Sequence, residues 1–175
     1  MDLRRRAARA GADCLGGNRG GPAFFLAQVE RRGGKGLLAM RRPNVPWSDL
    51  FDAAREARRR AYAPYSRFAV GAAAYFEDGQ IASGCNVENA SYGLSVCAER
   101  HAVGCAIARF GVRRLLAMAI IADGAMPPPP CGACRQVMAE FAGGELAIRS
   151  RTLRGREKRF TLRQLLPHAF SNAFL

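Results

Sequence analysis

Cys131-Gly132-Ala133-Cys134 sets two thiols three residues apart, and a third stands upstream in Cys97-Ala98-Glu99. A CxxC pair alone says little, because redox pairs and structural zinc knuckles share it. Three thiolates with a carboxylate nearby say more. Zinc is tetrahedral, and a catalytic zinc takes three protein ligands and keeps one position for water. Cys97, Cys131 and Cys134 can supply those ligands for one Zn²⁺ per subunit, with Glu99 as a carboxylate outside the ligand set. Such an ion brings hydroxide within reach near neutral pH, and Glu99 can move protons to and from that water. Both cysteine groups stand where a helix is expected to begin, and the positive helix end favours thiolate over thiol. Three thiolates leave the centre at a net charge of −1. Arg100, one turn after Cys97, is suited to reach the sulfurs and offset that charge.

Blander readings stand beside these. Glu99 could be an ordinary first-turn carboxylate, and Arg100 a surface residue. His101, four residues after Cys97, could be a fourth ligand that closes the site and makes it structural. Cys85 and Cys105 read as small buried apolar residues rather than ligands, and His168, near the end of the last helix, as a structural or solvent-facing residue. Pro-Cys-x-x-Cys with an upstream (His or Cys)-x-Glu is a known signature of zinc deaminases, in which the carboxylate passes a proton to the ring nitrogen and then to the leaving amine.

These residues need a scaffold to bring them together. Ser48 is a candidate N-cap for a first helix, with Leu50, Phe51, Ala54, Ala57 and Ala61 at helical spacing up to the Ala63-Pro64 break. Phe68 to Phe76 reads as a buried strand, Asp78-Gly79 as a two-residue hairpin turn, and Ile81 to Asn86 as the returning strand. A polar loop, Val87 to Val96, leads to a helix from about Cys97 to Phe110, stopped by Gly111. Leu115 to Ala122 reads as a central strand, Gly132 to Phe141 as a second inner helix, and Glu145 to Arg149 as a strand. Lys158 to Phe160 can pair as another. Thr161-Leu162-Arg163-Gln164 has the form of a capping box opening a last helix, closed by Pro167. The fold class is α/β, with α-β-α layers around one mixed five-stranded sheet. Only eight residues separate Arg149 from Lys158, too few for a parallel crossover, so the last two strands should be antiparallel.

Composition narrows the setting. The chain has 175 residues, 49% of them apolar, which suits about one domain and excludes a wholly disordered protein. No apolar run approaches the ~20 residues of a membrane span, and no secretory h-region follows Arg4, Arg5 and Arg6. A cytoplasmic location follows, with thiols kept reduced. The net charge is +13; residues 1–39 contribute +5 and residues 40–175 contribute +8. A basic surface can signal a nucleic-acid partner. Here only Lys35 and Lys158 are lysines, and arginine standing where lysine is usual on a solvated surface accounts for the charge without one. Residues 1–39, with eight glycines and no sustained periodicity, read as a disordered or mis-assigned leader, and translation could begin at Met40. Residues 40–175 form the catalytic domain.

Five blocks then carry a resemblance. They are Ala63-Pro64-Tyr65-Ser66-Arg67-Phe68-Ala69-Val70-Gly71-Ala72-Ala73, Gly84-Cys85-Asn86-Val87-Glu88-Asn89-Ala90, Cys97-Ala98-Glu99-Arg100, Pro130-Cys131-Gly132-Ala133-Cys134-Arg135-Gln136-Val137 and Leu165-Leu166-Pro167-His168-Ala169-Phe170. In this order, from Trp47 to Phe170, the chain resembles the small homotetrameric cytidine deaminases. The resemblance implies zinc-dependent hydrolysis of cytidine and 2′-deoxycytidine to uridine and 2′-deoxyuridine, with ammonia released, in pyrimidine salvage. It implies a homotetramer with shared active sites. It places Asn86 and Glu88 on the ribose 3′-hydroxyl, Phe68 beside the pyrimidine, the Ala98 backbone on the base edge, and Tyr92 and Phe170 in a neighbouring subunit's pocket. Alternation at i and i+2 lets Asn86 and Glu88 face one way, though capping of a loop would use the same pair. The family more often has Ser at the position of Pro129 and Thr at that of His101. The rivals are a deaminase of a nucleoside-like antibiotic of the blasticidin-S type and one acting on cytosine within a polynucleotide. The Asn86-x-Glu88 pair argues against the first. The short 149–158 connection and the lack of interleaved aromatic and basic residues argue against the second.

Overall fold

The computed structural model describes residues 44–175. The leader expected over 1–39 lies outside them. Helix α1 spans Trp47–Arg58, strand β1 Val70–Phe76 and strand β2 Ile81–Cys85. After a 3₁₀ turn at Tyr92–Leu94 come α2 (Ala98–Phe110), β3 (Leu115–Ala122) and α3 (Gly132–Phe141). Strands β4 (Ala147–Thr152) and β5 (Glu157–Thr161) follow, then the single-turn α4 (Leu162–Leu165) and a 3₁₀ turn at Asn172–Phe174. The strands form one mixed sheet in the order β2-β1-β3-β4-β5. β1 is antiparallel to β2 and β3, β3 is parallel to β4, and β4 is antiparallel to β5.

The pleat sorts the sheet into two cores. Ala73, Ala117, Ala119 and Ile121 face one side, where Leu50, Phe51 and Ala54 of α1 cover them. Ala72, Ala74, Phe76, Met118, Ile120 and Ile148 face the other, under Ala98, Ala102, Val103 and Ala106 of α2 and Cys134 and Met138 of α3. Period-2 strands between helices with a single apolar stripe require this α-β-α layering. β3 is central and runs Leu-Leu-Ala-Met-Ala-Ile-Ile-Ala because it is covered on both faces.

Helix and sheet meet very closely at two glycines. A Cβ on Gly71 would lie 1.9 Å from the Ala54 carbonyl oxygen of α1. A Cβ on Gly84 would lie 2.5 Å from the Ala102 nitrogen and 2.7 Å from the His101 Cβ of α2. The second contact presses the edge strand β2 onto the helix that begins at the cysteine-glutamate motif.

Several local expectations change. α1 ends at Arg58, short of Ala61, and β1 begins at Val70, which leaves Phe68 outside the strand and exposed. α1 starts directly after Pro46, with no side-chain cap, so Ser48 lies within the first turn instead of capping it. The β1–β2 connection has four residues, 77–80, with the Phe76 N–H donating to the Gln80 carbonyl and Gly79 alone at positive φ (84°), a turn closed by one left-handed glycine rather than a two-residue loop. β4 begins at Ala147 and runs to Thr152, beyond the expected Arg149. The Thr161–Gln164 capping box is present, but the helix it opens lasts only one turn, so His168 stands exposed beyond it.

Candidate active site

Cys97 and Cys131 are the residues immediately before α2 and α3, both in extended backbone, and neither sulfur is spent on capping its own helix. The two helix starts converge at one end of the inner face. There the Cys97 and Cys131 sulfurs stand 3.7 Å apart, and those of Cys131 and Cys134 3.5 Å apart. A tetrahedral zinc with bonds of about 2.3 Å holds its sulfurs roughly 3.8 Å from one another, so this donor set fits the ion. Among the described residues, these three form the one group of metal-ligating side chains close enough to share an ion. His101 is not in it. Its ring Nδ1 lies 2.7 Å from the Cys85 carbonyl oxygen, and the centre remains three-ligand.

Charge at this corner is tightly managed. A hydrogen bond from Cys134 pulls the Cys97 thiol down to about 5, against its burial and with help from Arg100. The same hydrogen bond, with burial and the negative charges of Glu99 and Cys97, pushes Cys134 up. Arg100 donates through Nη2 to the Ser95 carbonyl at 2.8 Å and reaches the Cys97 sulfur at 3.9 Å, as the one-turn spacing predicts. Glu99 is 5% exposed, and burial foremost raises its carboxyl above the ordinary value. A buried carboxyl raised above its ordinary value beside a metal corner is suited to exchange protons.

The loops next to this corner hold the remaining candidates. The Asn86 side-chain oxygen accepts from the Val70 N–H at 2.8 Å, and its amide nitrogen donates to the Phe68 carbonyl at 2.9 Å. Asn86 therefore ties the end of β2 to the start of β1. Glu88 accepts from the backbone N–H groups of Tyr65 (2.9 Å) and Ser66 (3.2 Å) and from the Ser66 hydroxyl. The Ser66 bond, foremost, holds its carboxyl below the ordinary value. A concavity of about 390 Å³ opens there, lined by Tyr65, Ser66, Glu88, Tyr92 and Ser95. Ala98 is fully buried, whereas Phe68, Tyr92 and Phe170 are 40%, 74% and 59% exposed.

Residues 47–149 match the family model described as the cytidine and deoxycytidylate deaminase zinc-binding region. The chain belongs to the cytidine deaminase family. It is 48% identical over 122 residues to a cytidine deaminase of Sporosarcina psychrophila, covering 70% of this chain and 89% of that protein. It is 50% identical over 128 residues to one of Mycobacterium tuberculosis, covering 73% and 92%. The crystal structure of a cytidine deaminase from Burkholderia pseudomallei superimposes with a TM-score of 0.68 at 45% identity, over 72% of this chain and all of that one.

Within this deaminase frame several side chains do more than their sequence signals suggested. Ser66 orders Glu88 and also accepts from the Phe68 N–H at 3.0 Å. Arg135 donates to the Pro130 carbonyl at 2.8 Å and to that of Leu165 at 2.9 Å, tying the approach to Cys131 to the C-terminal segment. Gln136 donates to the Phe170 carbonyl at 2.7 Å. Both follow the CxxC directly, which was the available signal for them; their partners Leu165 and Phe170 lie 30 and 34 residues away and leave no local pattern. Cys85 and Cys105 correct an expectation. Cys85 is half-buried at the sheet edge and Cys105 is exposed on the outer side of α2, so neither is a packed core residue, and neither joins the metal cluster.

Proposed function

We propose that this deaminase hydrolyses cytidine and 2′-deoxycytidine to uridine and 2′-deoxyuridine, releasing ammonia, in pyrimidine salvage. The observation that carries the reading is the three-sulfur cluster with a buried Glu99 beside it that is not part of it. Cys97, Cys131 and Cys134 would hold one Zn²⁺, which when bound acts as the Lewis acid that lowers the pKa of water. Glu99 accepts a proton from the attacking water and delivers it to the ring nitrogen. A new C–O bond forms at the amino-bearing carbon. Glu99 then carries a second proton to the amino group as its C–N bond breaks, so water enters and ammonia leaves. Arg100 offsets the thiolate charge.

In the same reading Asn86 and Glu88 grip the ribose 3′-hydroxyl, with their existing hydrogen bonds pre-setting both side chains. Phe68 packs beside the pyrimidine and the Ala98 backbone meets the base edge. The exposed rings of Tyr92 and Phe170 serve a neighbouring subunit in a homotetramer. Arg159 pairs with Arg149 across the antiparallel β4–β5 hairpin, which leaves no crossover helix of the kind expected in polynucleotide editors. The five described cysteines are free thiols, in keeping with a reducing cytoplasm, and among the described residues no helix is long and apolar enough to cross a membrane.

Ammonia release should be measured in parallel from cytidine, 2′-deoxycytidine, a blasticidin-type compound and a single-stranded oligonucleotide, with zinc counted on the same sample. The reading expects about one zinc per chain and turnover of the two nucleosides alone. Turnover of the oligonucleotide, or none of cytidine, overturns it. Sedimentation of the active enzyme as a monomer would sink the shared-site part.

A further inference from the structure

The Asn86 N–H donates to the Val70 carbonyl of β1 at 3.2 Å. In a trans peptide the preceding carbonyl points the opposite way. The Cys85 carbonyl is therefore aimed off the outer edge of β2, where the sheet offers no further strand. His101 Nδ1 meets it at 2.7 Å. A carbonyl oxygen only accepts, so Nδ1 carries the proton and the ring is fixed in that tautomer. The peptide that leads into Asn86 is thus clamped from both sides, by the sheet within and by α2 without. Gly84 makes this reach possible, since it lets α2 approach until the His101 Cβ stands 2.7 Å from where a Cβ on Gly84 would be. Past the clamp, Tyr62 N–H donates to the Asn86 carbonyl at 3.0 Å and Glu88 N–H to the Tyr62 carbonyl at 2.8 Å.

We propose that His101 is a positioning residue for sugar recognition: through the Cys85 carbonyl it sets the orientation of the Asn86 peptide relative to the helix that carries Cys97 and Glu99. The inference rests on the reading of Asn86 and Glu88 as the ribose grip. Its chemical content is a fixed span. The base is processed at the start of α2, the sugar is held at the end of β2, and the imidazole is a hydrogen-bonded spacer between them. Small displacements between such groups are costly, since a misplacement of about 1 Å can lower a rate roughly a hundredfold.

The test compares His101→Leu, which keeps bulk without the donor, with His101→Asn, whose amide nitrogen takes the place of Nδ1. Cytidine and 3′-deoxycytidine are the two substrates, and kcat and KM are taken separately on zinc-loaded enzyme. The wild type should favour cytidine strongly. His101→Leu should raise KM for cytidine about tenfold and shrink the cytidine to 3′-deoxycytidine ratio of kcat/KM by a similar factor. His101→Asn should restore most of that ratio. On an Asn86→Ala background the His101→Leu effect on the ratio should vanish. A wild type that turns over both substrates alike defeats the ribose reading itself. A wild type that discriminates, with His101→Leu discriminating equally well or losing kcat on both substrates by the same factor, defeats the role of His101 alone. Should His101→Leu fold poorly, His101→Met, whose flexible side chain also lacks a donor, serves instead: an unchanged ratio there overturns the proposal.

Discussion

The metal corner and the rim around Asn86 and Glu88 lie side by side but are built on different principles. At the corner every functional side chain comes from a helix's first turn or from the residue just before it; Cys134 and Glu99 are buried, Cys97 is half-buried and Cys131 is exposed. Burial in the core holds Cys134 and Glu99 in place. At the rim the polar side chains are held by other loops, and the aromatic ones project into solvent. One region is preorganised by packing and the other by hydrogen bonds among exposed segments. The corner should therefore respond to substitution in rate, and the rim in affinity and specificity.

The sharpest way to break that contrast is Glu99→Gln. Turnover should fall by about 10³-fold or more with zinc content and fold retained. Ammonia release within tenfold of the wild type would remove Glu99 from the mechanism and leave the corner structural. Sugar discrimination comes next. With 3′-deoxycytidine, Asn86 and Glu88 lose their partner, and kcat/KM should fall by roughly 10²–10⁴-fold. Equal turnover would mean that these two side chains only brace the rim.

The sequence made the corner easy to read and the rim hard to read. The chemistry of the corner is local: a CxxC, a Cys-x-Glu and two helix starts each fall within a few residues. β3 and α3 were legible to their terminal residues because each is a full run of one pattern, Leu115–Ala122 buried on both sides and Gly132–Phe141 between a Pro-rich entry and a glycine pair. β4 was placed too early because two of its three inward positions, Ser150 and Thr152, are polar, so hydrophobic alternation stops at Ile148 while pairing continues. The contacts of Glu88 with Tyr65 and Ser66 span more than 20 residues and fit no periodic template.

Smaller effects refine the comparison. Ser66→Ala removes the hydroxyl that lowers the Glu88 carboxyl and should raise KM for cytidine about tenfold while kcat stays within about twofold. A matching fall in kcat would show that rim and corner are coupled. The smallest effect lies away from both regions, at Glu157. Burial opposes its ionisation, but Arg151 and Arg159 outweigh that and hold its carboxyl below the ordinary 4.5. The depressed value means that its contribution is complete above about pH 4.5 and is lost as pH falls through the lower folded value. Glu157→Gln should lower Tm by about one or two degrees near pH 7 and by less near pH 3, read by thermal denaturation. A difference that does not shrink on acidification would assign the stabilisation to packing.

The sheet's small side chains have a consequence for how this protein can vary. Ala72, Ala73 and Ala74 in β1 and Ala117 and Ala119 in β3 are all fully buried, and Gly71 and Gly84 sit where even a methyl group collides with a helix. Most cores are damaged chiefly by truncation, because large residues leave voids when shortened. At these alanines and glycines truncation has little to remove, and enlargement has nowhere to go. Tolerance should therefore run opposite to the usual direction. At these positions, on both faces of the sheet, a gain of one or two carbons is the disruptive change, and substitution scans should show a ceiling on side-chain volume there and a floor at the neighbouring Met118, Ile120 and Ile121.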